Sequence, residues 1–279
     1  MFLIRKMGRE DFPFAVQLAN TMDWNMSEVD FEFNRTLEPD GCFVLSEAEN
    51  PVGIATCISY GKIGWFGNLI VRNEIRKRGA GSLLVKHSVR YLKAKRVETI
   101  GLYAYQHLIG FYEKLGFRQD EDFVILSGKI NNCRIPNYLT EETATENSSL
   151  IKLDQNCFNW DRTKLLTPIL SEKANLSYYR KKNGKIVGFA AAKLYEEMAE
   201  IGPLVCESGQ SAVALDLLEN VICRLKGQVA YVCVPTAEND LVKTIESRGL
   251  RESFKVTRMY LGAAIAQNCI YLPESLERG

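Results

Sequence analysis

Apolar and polar positions along the chain form strand-like runs and helix-like stripes in a regular order. Phe14, Leu18 and Met22 have the spacing of one helix face, whereas the Val-, Ile- and Thr-rich run 51–60 is typical of a strand. The first half therefore predicts a strand, two helices, three strands, a helix, a strand, a helix and a last strand. These predicted elements span 2–6, 11–22, 26–34, 41–45, 51–60, 62–72, 79–94, 97–104, 108–115 and 116–127.

A similar order follows a polar segment that has a proline and no periodicity. Val52-Gly53-Ile54 precedes Leu69-Ile70-Val71 by the same separation as Val187-Gly188-Phe189 precedes Leu204-Val205-Cys206. This indicates a tandem duplication of one α+β unit. We predict domains over 1–130 and 149–279, joined by a linker over 131–148. The second-half elements are a strand-like run at 151–157, a helix at 163–174, strands at 176–180, 185–194 and 199–206, a helix at 211–225, a strand at 228–234, a helix at 238–248, a strand at 250–261 and an added strand near 269–272.

Composition excludes several classes of protein. The 279 residues include 35 Lys and Arg against 34 Asp and Glu, so the chain has no general attraction for nucleic acid. The amino terminus lacks a signal-peptide pattern, and no apolar run approaches membrane-span length, so we expect a cytoplasmic protein without membrane contact. Eight scattered cysteines without a Cys-x-x-Cys and only two histidines predict reduced thiols and no metal site.

The most informative stretch is 68–84, where an apolar strand, a basic loop and a glycine-rich turn precede a helix. The first turn of a helix has unpaired N–H groups and partial positive charge, and glycines let an anion approach them. Such a turn is a phosphate site. Arg72, Arg76, Lys77 and Arg78 would add an attractive field. This stretch alone fits a tight strand–helix connection without a ligand equally well.

Two motifs together give the first half a family resemblance. Arg76-x-x-Gly79-x-Gly81 after Asn68-Leu69-Ile70-Val71, followed by the segment 111–117 (FYEKLGF), resembles the GNAT superfamily of N-acetyltransferases over about residues 1–128. The whole chain resembles the tandem type, in which a divergent second GNAT-like domain (type 18) follows the first. The segments that resemble this second domain are Asp161-Arg162, Leu165-Leu166 and 201–205.

The resemblance implies an α+β fold of two tandem GNAT-like domains, each a mixed, mostly antiparallel twisted sheet flanked by helices. It also implies acetyl-CoA as co-substrate, lying in a V-shaped split between the fourth and fifth strands. Tyr112 would be the general acid, because a phenol of pKa about 10 is protonated at neutral pH and can donate to a thiolate of pKa about 8.5. The implied cofactor-binding residues are Leu69, Ile70, Val71, Arg76, Lys77, Arg78, Gly79, Ala80, Gly81 and Ser82.

Some residues depart from the family pattern. Tyr105 stands where many members have asparagine, so the substrate-facing surface is aromatic here. The strand position that holds a glutamate base in histone-type relatives falls near Trp65. The base therefore stays open between a relayed water and the carboxylates of Asp23, Glu28 and Asp30. Three further residues are interpreted structurally, namely His87 as packed, His107 as a loop histidine and Cys57 as a small core residue.

The second half lacks the phosphate motif. After Leu204-Val205-Cys206 comes Glu207-Ser208-Gly209-Gln210-Ser211, with no Arg or Lys before Arg224. We therefore predict that only the first half binds CoA. The sequence favours an acetyl-CoA-dependent N-acetyltransferase that acts by direct attack of a small-molecule or peptide amine, as a monomer or homodimer. A non-catalytic acyl-CoA-binding or sensing protein is the alternative, and a nucleotide site at the glycine turn is the third.

Overall fold

The computed structural model describes residues 1–131, 133, 146–265 and 267–279, so most of the predicted linker lies outside the described residues. The helices of the two halves are α1 (Phe12–Asn20), α2 (Glu28–Leu37), α3 (Ala80–Ala94), α4 (Ile109–Glu113), α5 (Asn147–Phe158), α6 (Thr163–Ser171), α7 (Ser211–Arg224) and α8 (Asn239–Ser247). The strands are β1 (Phe2–Lys6), β2 (Cys42–Glu47), β3 (Asn50–Tyr60), β4 (Ile63–Val71), β5 (Thr99–Tyr105), β6 (Arg118–Lys129), β7 (Leu176–Lys182), β8 (Lys185–Leu194), β9 (Met198–Glu207), β10 (Val229–Pro235), β11 (Arg251–Leu261) and β12 (Cys269–Leu272).

One predicted element is wrong. The strand-like run 151–157 lies inside helix α5. The alternating Ile151 and Leu153 suggested a strand, but the buried side chains of α5 are Leu150, Leu153, Asp154, Cys157 and Phe158. Their spacing of three and four residues is helical. The added strand predicted near 269–272 is confirmed as β12, which pairs with β9.

Within the described ranges the strands form one 12-stranded sheet, in the order β1-β2-β3-β4-β5-β11-β6-β10-β9-β8-β7 with β12 on β9. The β4–β5 and β9–β10 pairs are parallel, and the other pairs are antiparallel. The order shows that the two halves exchange their last strands. Strand β11 of the second half pairs with β5 of the first, and β6 of the first half pairs with β10 of the second. Each half therefore needs the other to complete its sheet.

The helices cover the two faces of the sheet unequally. In the first half, α3 and α4 pack on one face together with Phe66, Val71 and Tyr112. Helices α1 and α2 pack on the other face, against Ile54 and Ile70. An aromatic core between the halves lies on this second face as well, where Trp160 packs edge-on against Tyr60 at 5.5 Å between ring centroids.

The buried carboxylate of Glu38 ties the first half to the second. It accepts hydrogen bonds from Tyr91 Oη (2.6 Å), from the Ser59 amide (3.0 Å), from Lys95 Nζ and, across the halves, from Lys164 Nζ (2.8 Å). Burial alone would raise the pKa of this carboxyl, but the hydrogen bonds from Lys164, Lys95 and Tyr91 outweigh burial and lower the pKa to about 2.

We predict that Glu38→Gln lowers the free energy of unfolding by about 2 kcal/mol at pH 7, because both lysines lose their carboxylate. The wild-type advantage is present above the unfolded pKa of about 4.3 and is lost as the pH falls through the folded value. Urea unfolding at pH 7 and pH 3 measures both. Glu252→Gln is the control, since Glu252 pairs at 3.7 Å with Lys255 on the surface. Equal stability of the Glu38 variant and wild type at pH 7 would contradict the assignment.

Candidate functional site

A cleft opens in the sheet where β4 and β5 part. Their ladder ends at the pair Trp65–Gly101, and no described strand pairs with Leu69–Val71 on the β5 side. The cause is a bulge in β4. The register against β3 shifts between Gly67 and Ile70, and Asn68 adopts a left-handed φ of 49°. A bulge bends a strand and re-aims it. The backbone edge of residues 69–71 is thus available to an extended ligand.

The glycine turn leads from this edge into α3. Lys77 and Gly79 have φ values of 63° and 84°. The Leu83 amide donates to the Gly79 carbonyl at 3.0 Å, so the amides of Ala80, Gly81 and Ser82 precede the first helical bond and have no acceptor within the helix. A side chain at Gly79 would meet no atom within 4 Å, and one at Gly81 would meet the Phe111 ring at 3.5 Å. The floor of the turn is therefore open backbone.

Of the four cations predicted around the turn, Arg72 lies over the Phe14 ring at 5.3 Å. The other three have different surroundings. Arg76 bridges the turn to β4, because its Nε donates to the Val71 carbonyl at 3.2 Å. Lys77 is exposed. The Arg78 guanidinium instead donates to the Glu47 carboxylate at 3.0 Å and lies over the Phe2 ring, toward β1 and β2. Arg76 and Lys77 are thus the better placed of the three to meet an anion on the turn.

Tyr112 lies on α4, in the turn of structure that follows β5. Its side chain is buried between Phe111 and Phe117, at 5.0 and 5.8 Å between ring centroids. It belongs to the apolar cluster against which Leu69 packs, so the tyrosine and the open edge of β4 border the same cluster. Burial raises the pKa of Tyr112 above its usual value, and the phenol is protonated at neutral pH.

The far end of β5 carries an aromatic surface. The Trp24 indole, in the connection between α1 and α2, donates to Tyr105 Oη at 2.8 Å. Tyr105 also packs on Phe254 and on His107, with ring centroids 5.2 and 5.8 Å apart. The predicted aromatic departure at Tyr105 is thus part of a four-ring group. Sequence reasoning missed Phe254, because strand exchange brings it here from the second half.

Most of the other residues noted in the sequence are packed in the interior or take part in hydrogen bonds that stabilise the fold. The Trp65 indole is buried and donates to the Leu276 carbonyl at 3.1 Å. His87 packs edge-on against Phe43 at 4.6 Å, and burial lowers its pKa. Cys57 is fully buried, which raises the pKa of its thiol well above the usual value. Among the acidic candidates, Asp30 caps α2 by accepting from the Ser27 amide at 2.8 Å.

The second half contains the same cleft, but its own chain fills it. The parallel β9–β10 ladder ends at Ile201–Val232. In the β8–β9 ladder Gly188 pairs with Cys206, as Gly53 pairs with Val71 in the β3–β4 ladder of the first half. Residues 204–206 therefore correspond to 69–71. Strand β12 pairs with this edge over Leu204–Glu207.

The helix that corresponds to α4 has no tyrosine at the equivalent position. Tyr112 stands four residues before Gly116, and the residue four before Gly249 is Ile245, which is fully buried. A cavity of about 380 Å³ persists beside α7 and α8, with Ile270 of β12 in its wall. The second half thus retains the shape of the cleft without the tyrosine or an open strand edge.

The described parts of the chain contain neither a candidate membrane-spanning helix nor a candidate metal cluster. No helix there is both long and apolar enough to cross a bilayer. No group of three or more His, Cys, Asp and Glu side chains is gathered there in a way that could hold a metal ion. All eight cysteines are free thiols.

Known proteins are similar to both halves of the chain in sequence. The model of the Acetyltransferase (GNAT) family matches residues 6–117, and that of an Acetyltransferase (GNAT) domain, type 18, matches 150–271. A Bacillus subtilis (strain 168) protein with a provisional acetyltransferase name is 30% identical over 118 residues, which are 41% of this chain and 80% of that protein.

Solved structures agree on the fold. An acetyltransferase-like protein of Pyrococcus horikoshii aligns with a TM-score of 0.82 at 22% identity, over 100% of this chain and 96% of that one. A GCN5-related N-acetyltransferase of Sphaerobacter thermophilus aligns with a TM-score of 0.69 at 15% identity, over 96% and 98%. The chain belongs to the GNAT acetyltransferases and is a tandem member with two GNAT-type domains.

Substitutions at two glycines can separate the effect of backbone conformation from the effect of steric room for a side chain. Gly79 and Gly110 both have room for a side chain, but only Gly79 has a positive φ. We predict that Gly79→Ala lowers the free energy of unfolding by about 1 kcal/mol, because a Cβ disfavours the left-handed region. Gly110→Ala, inside α4, should be neutral or stabilise by up to about 1 kcal/mol. Calorimetric unfolding compares them, and a harmless Gly79→Ala would contradict the described turn.

Proposed function

We propose that the protein is an acetyl-CoA-dependent N-acetyltransferase that works in the cytoplasm with one active site, in the first half. The observation that supports this most directly is the juxtaposition of the open β4 edge, the glycine turn at α3 and the buried Tyr112. The acceptor would be a primary amine of a small molecule or a peptide. The family matches support acyl transfer, and the site geometry supports this choice of half.

The chain's own groups fit the co-substrate. The amides of Gly79 to Ser82 would hold the pyrophosphate, with Arg76 and Lys77 beside them. Each amide bond to a charged oxygen contributes about 1.5–3 kcal/mol. The backbone of Leu69, Ile70 and Val71 would pair with the pantetheine arm as an added strand. The Val71 carbonyl already accepts one bond from Arg76, and a carbonyl has a second lone pair for another donor.

Acetyl-CoA supplies an acyl thioester. The amine nitrogen attacks its carbonyl carbon, the carbon–sulfur bond breaks, and the thiolate receives a proton from the Tyr112 hydroxyl. Burial raises the pKa of the hydroxyl, so Tyr112 holds its proton at neutral pH and the proton is present when the thiolate forms. The nitrogen loses two protons, one from the ammonium before attack and one from the adduct as the amide forms, and both pass to water. Water restores the tyrosine proton, so one proton is released per turnover. No covalent enzyme intermediate is needed.

The second half would bind no acyl-CoA. Strand β12 takes the edge that pantetheine would need, and the Glu207 carboxylate lies at the turn that would receive the phosphates, paired with Lys185 at 2.6 Å. The alternative function is a non-catalytic acyl-CoA sensor that uses the same first-half site. The two functions differ in what Tyr112 contributes.

We predict that calorimetric titration finds one acetyl-CoA site per chain, and that Gly81→Glu abolishes it. A carboxylate there would enter the open floor of the turn and repel the phosphates. Ala212→Glu is the matched control, because Ala212 is the second residue of α7 as Gly81 is of α3. Two sites per chain, or loss of binding in the Ala212 variant instead, would contradict the single first-half site.

We predict that Tyr112→Phe lowers kcat about 100-fold for acetyl transfer to an amine, because the thiolate loses its proton donor. The dissociation constant of acetyl-CoA should stay within twofold of wild type, since the ring still packs between Phe111 and Phe117. Steady-state kinetics and calorimetry measure the two quantities. Wild-type turnover in the variant would favour the sensor or another acid.

A further inference from the structure

The segment 273–279 runs from the filled cleft of the second half to the open cleft of the first. Strand β12 fixes its beginning by pairing with β9. Pro273 then lies against Gly202, where an added side chain would come within 2.2 Å of the Pro273 carbonyl oxygen. Four residues later, Glu277 lies against Gly67 of β4, where an added side chain would come within 2.6 Å of the Glu277 Cα. Gly67 and Gly202 are equivalent positions of the duplicated unit.

Buried polar contacts hold the segment rigidly. Arg278 is almost fully buried, and its guanidinium binds Glu274 (2.9 Å) and Asn34 Oδ1 (3.2 Å). Its carbonyl accepts from Tyr60 Oη at 2.9 Å, and the Gly279 carbonyl accepts from Arg162 at 2.8 Å. Because partners from both halves bind the residues that flank Glu277, its backbone position is fixed against β4.

The position of Glu277 relative to the cleft is specific. Gly67 comes two residues after the last β4–β5 pair and just before the open edge 69–71. Trp65 and Gly67 face the side opposite α3, whereas Phe66 packs into the α3 cluster. Helices α3 and α4, with Tyr112, lie on one face of the sheet at the cleft. Glu277 Cα and Cβ approach Gly67 from the other face, so an acceptor that enters from that face would meet Glu277.

The charges around Glu277 leave it available to a cation. Its side chain is 19% exposed, and one oxygen contacts Arg278 at 2.7 Å. No second ion-pair partner contacts it in the described ranges. From β9, the carboxyl of Glu200 faces the same region, and Lys193 of β8 binds Glu200 and Glu274. Burial, together with the negative charges of Glu277 and Glu274, raises the pKa of Glu200 to about 7.

Resting on the proposed function, we propose that Glu277 binds the ammonium group of the acceptor at β4 and takes the proton that the ammonium loses. The nitrogen–carbon bond then forms, the carbon–sulfur bond breaks, and Tyr112 protonates the thiolate. The second nitrogen proton leaves as the adduct becomes the amide and passes to water. Glu277 afterwards passes its proton to water, and water reprotonates Tyr112. The filled second cleft thus anchors a segment that completes the acceptor side of the first.

The test compares Glu277→Gln and Glu277→Asp with wild type. Release of the CoA thiol is measured with 1,4-diaminobutane, with an amino sugar and with a tetrapeptide that has a free amino terminus. Glu196→Gln is the control, because Glu196 is an exposed carboxylate on the nearby β8–β9 turn.

For whichever amine the wild type acetylates, Glu277→Gln should lower kcat/KM about 100-fold at pH 7. The deficit should shrink to less than about 10-fold at pH 9.5, where more of the amine is already deprotonated. Glu277→Asp should recover part of the activity, Glu196→Gln should match wild type, and acetyl-CoA affinity should not change.

Equal kcat/KM for wild type and Glu277→Gln would overturn this role while leaving the proposed function intact. A deficit of the same size at both pH values would overturn it too, because it would show that no proton is involved. Loss of acetyl-CoA affinity in Glu277→Gln would also overturn it, since the residue would then act through the fold. Transfer to none of the amines by wild type would overturn the proposed function itself.

Discussion

The antiparallel pairing of β11 with β5 on one side and with β6 on the other is the contact on which both halves depend. It runs from Val256–Tyr105 to Leu261–Ile100 and continues along β6. Without it, β5 would be an edge strand whose backbone groups on the side away from the cleft are unpaired. The exchange supports the β5 wall of the first-half cleft with a strand from the second half. It also brings Phe254 and the aromatic core between the halves into place.

The duplicated frame has the same cleft in both halves but different residues around it. In both halves a parallel strand pair separates after a bulge, and two helices pack on the same face of the sheet. In the first half the opened edge stays free, the turn is basic, and Tyr112 follows. In the second half β12 pairs with the edge, Glu207 replaces the basic turn, and Ile245 replaces the tyrosine. The filled cleft of the second half thereby anchors the segment 273–279, which reaches the first half.

The sequence allowed prediction of the features that depend on short-range patterns. The strand–turn–helix around Gly79, the order of elements and the equivalence of 69–71 with 204–206 all follow from spacing within tens of residues. Helix α5 was mistaken because Ile151 and Leu153 alternate over a stretch too short to separate a strand from a helix. The strand exchange and the contact of Glu277 with Gly67 involve residues about 100 to 210 positions apart, so no local periodicity encodes them. Arg162 was noted only as part of Asp161-Arg162, and its buried ion pair with Asp154, which gives it a structural role, was not predicted.

The most direct test of the account is a crystal structure of the protein grown with excess coenzyme A. We expect electron density for one coenzyme A per chain, with its pyrophosphate on the amides of Gly79 to Ser82, its pantetheine along Leu69–Val71, and β12 still paired with β9. Density in the β9–β10 cleft with β12 displaced, or none between β4 and β5, would contradict the assignment of one active and one structural half.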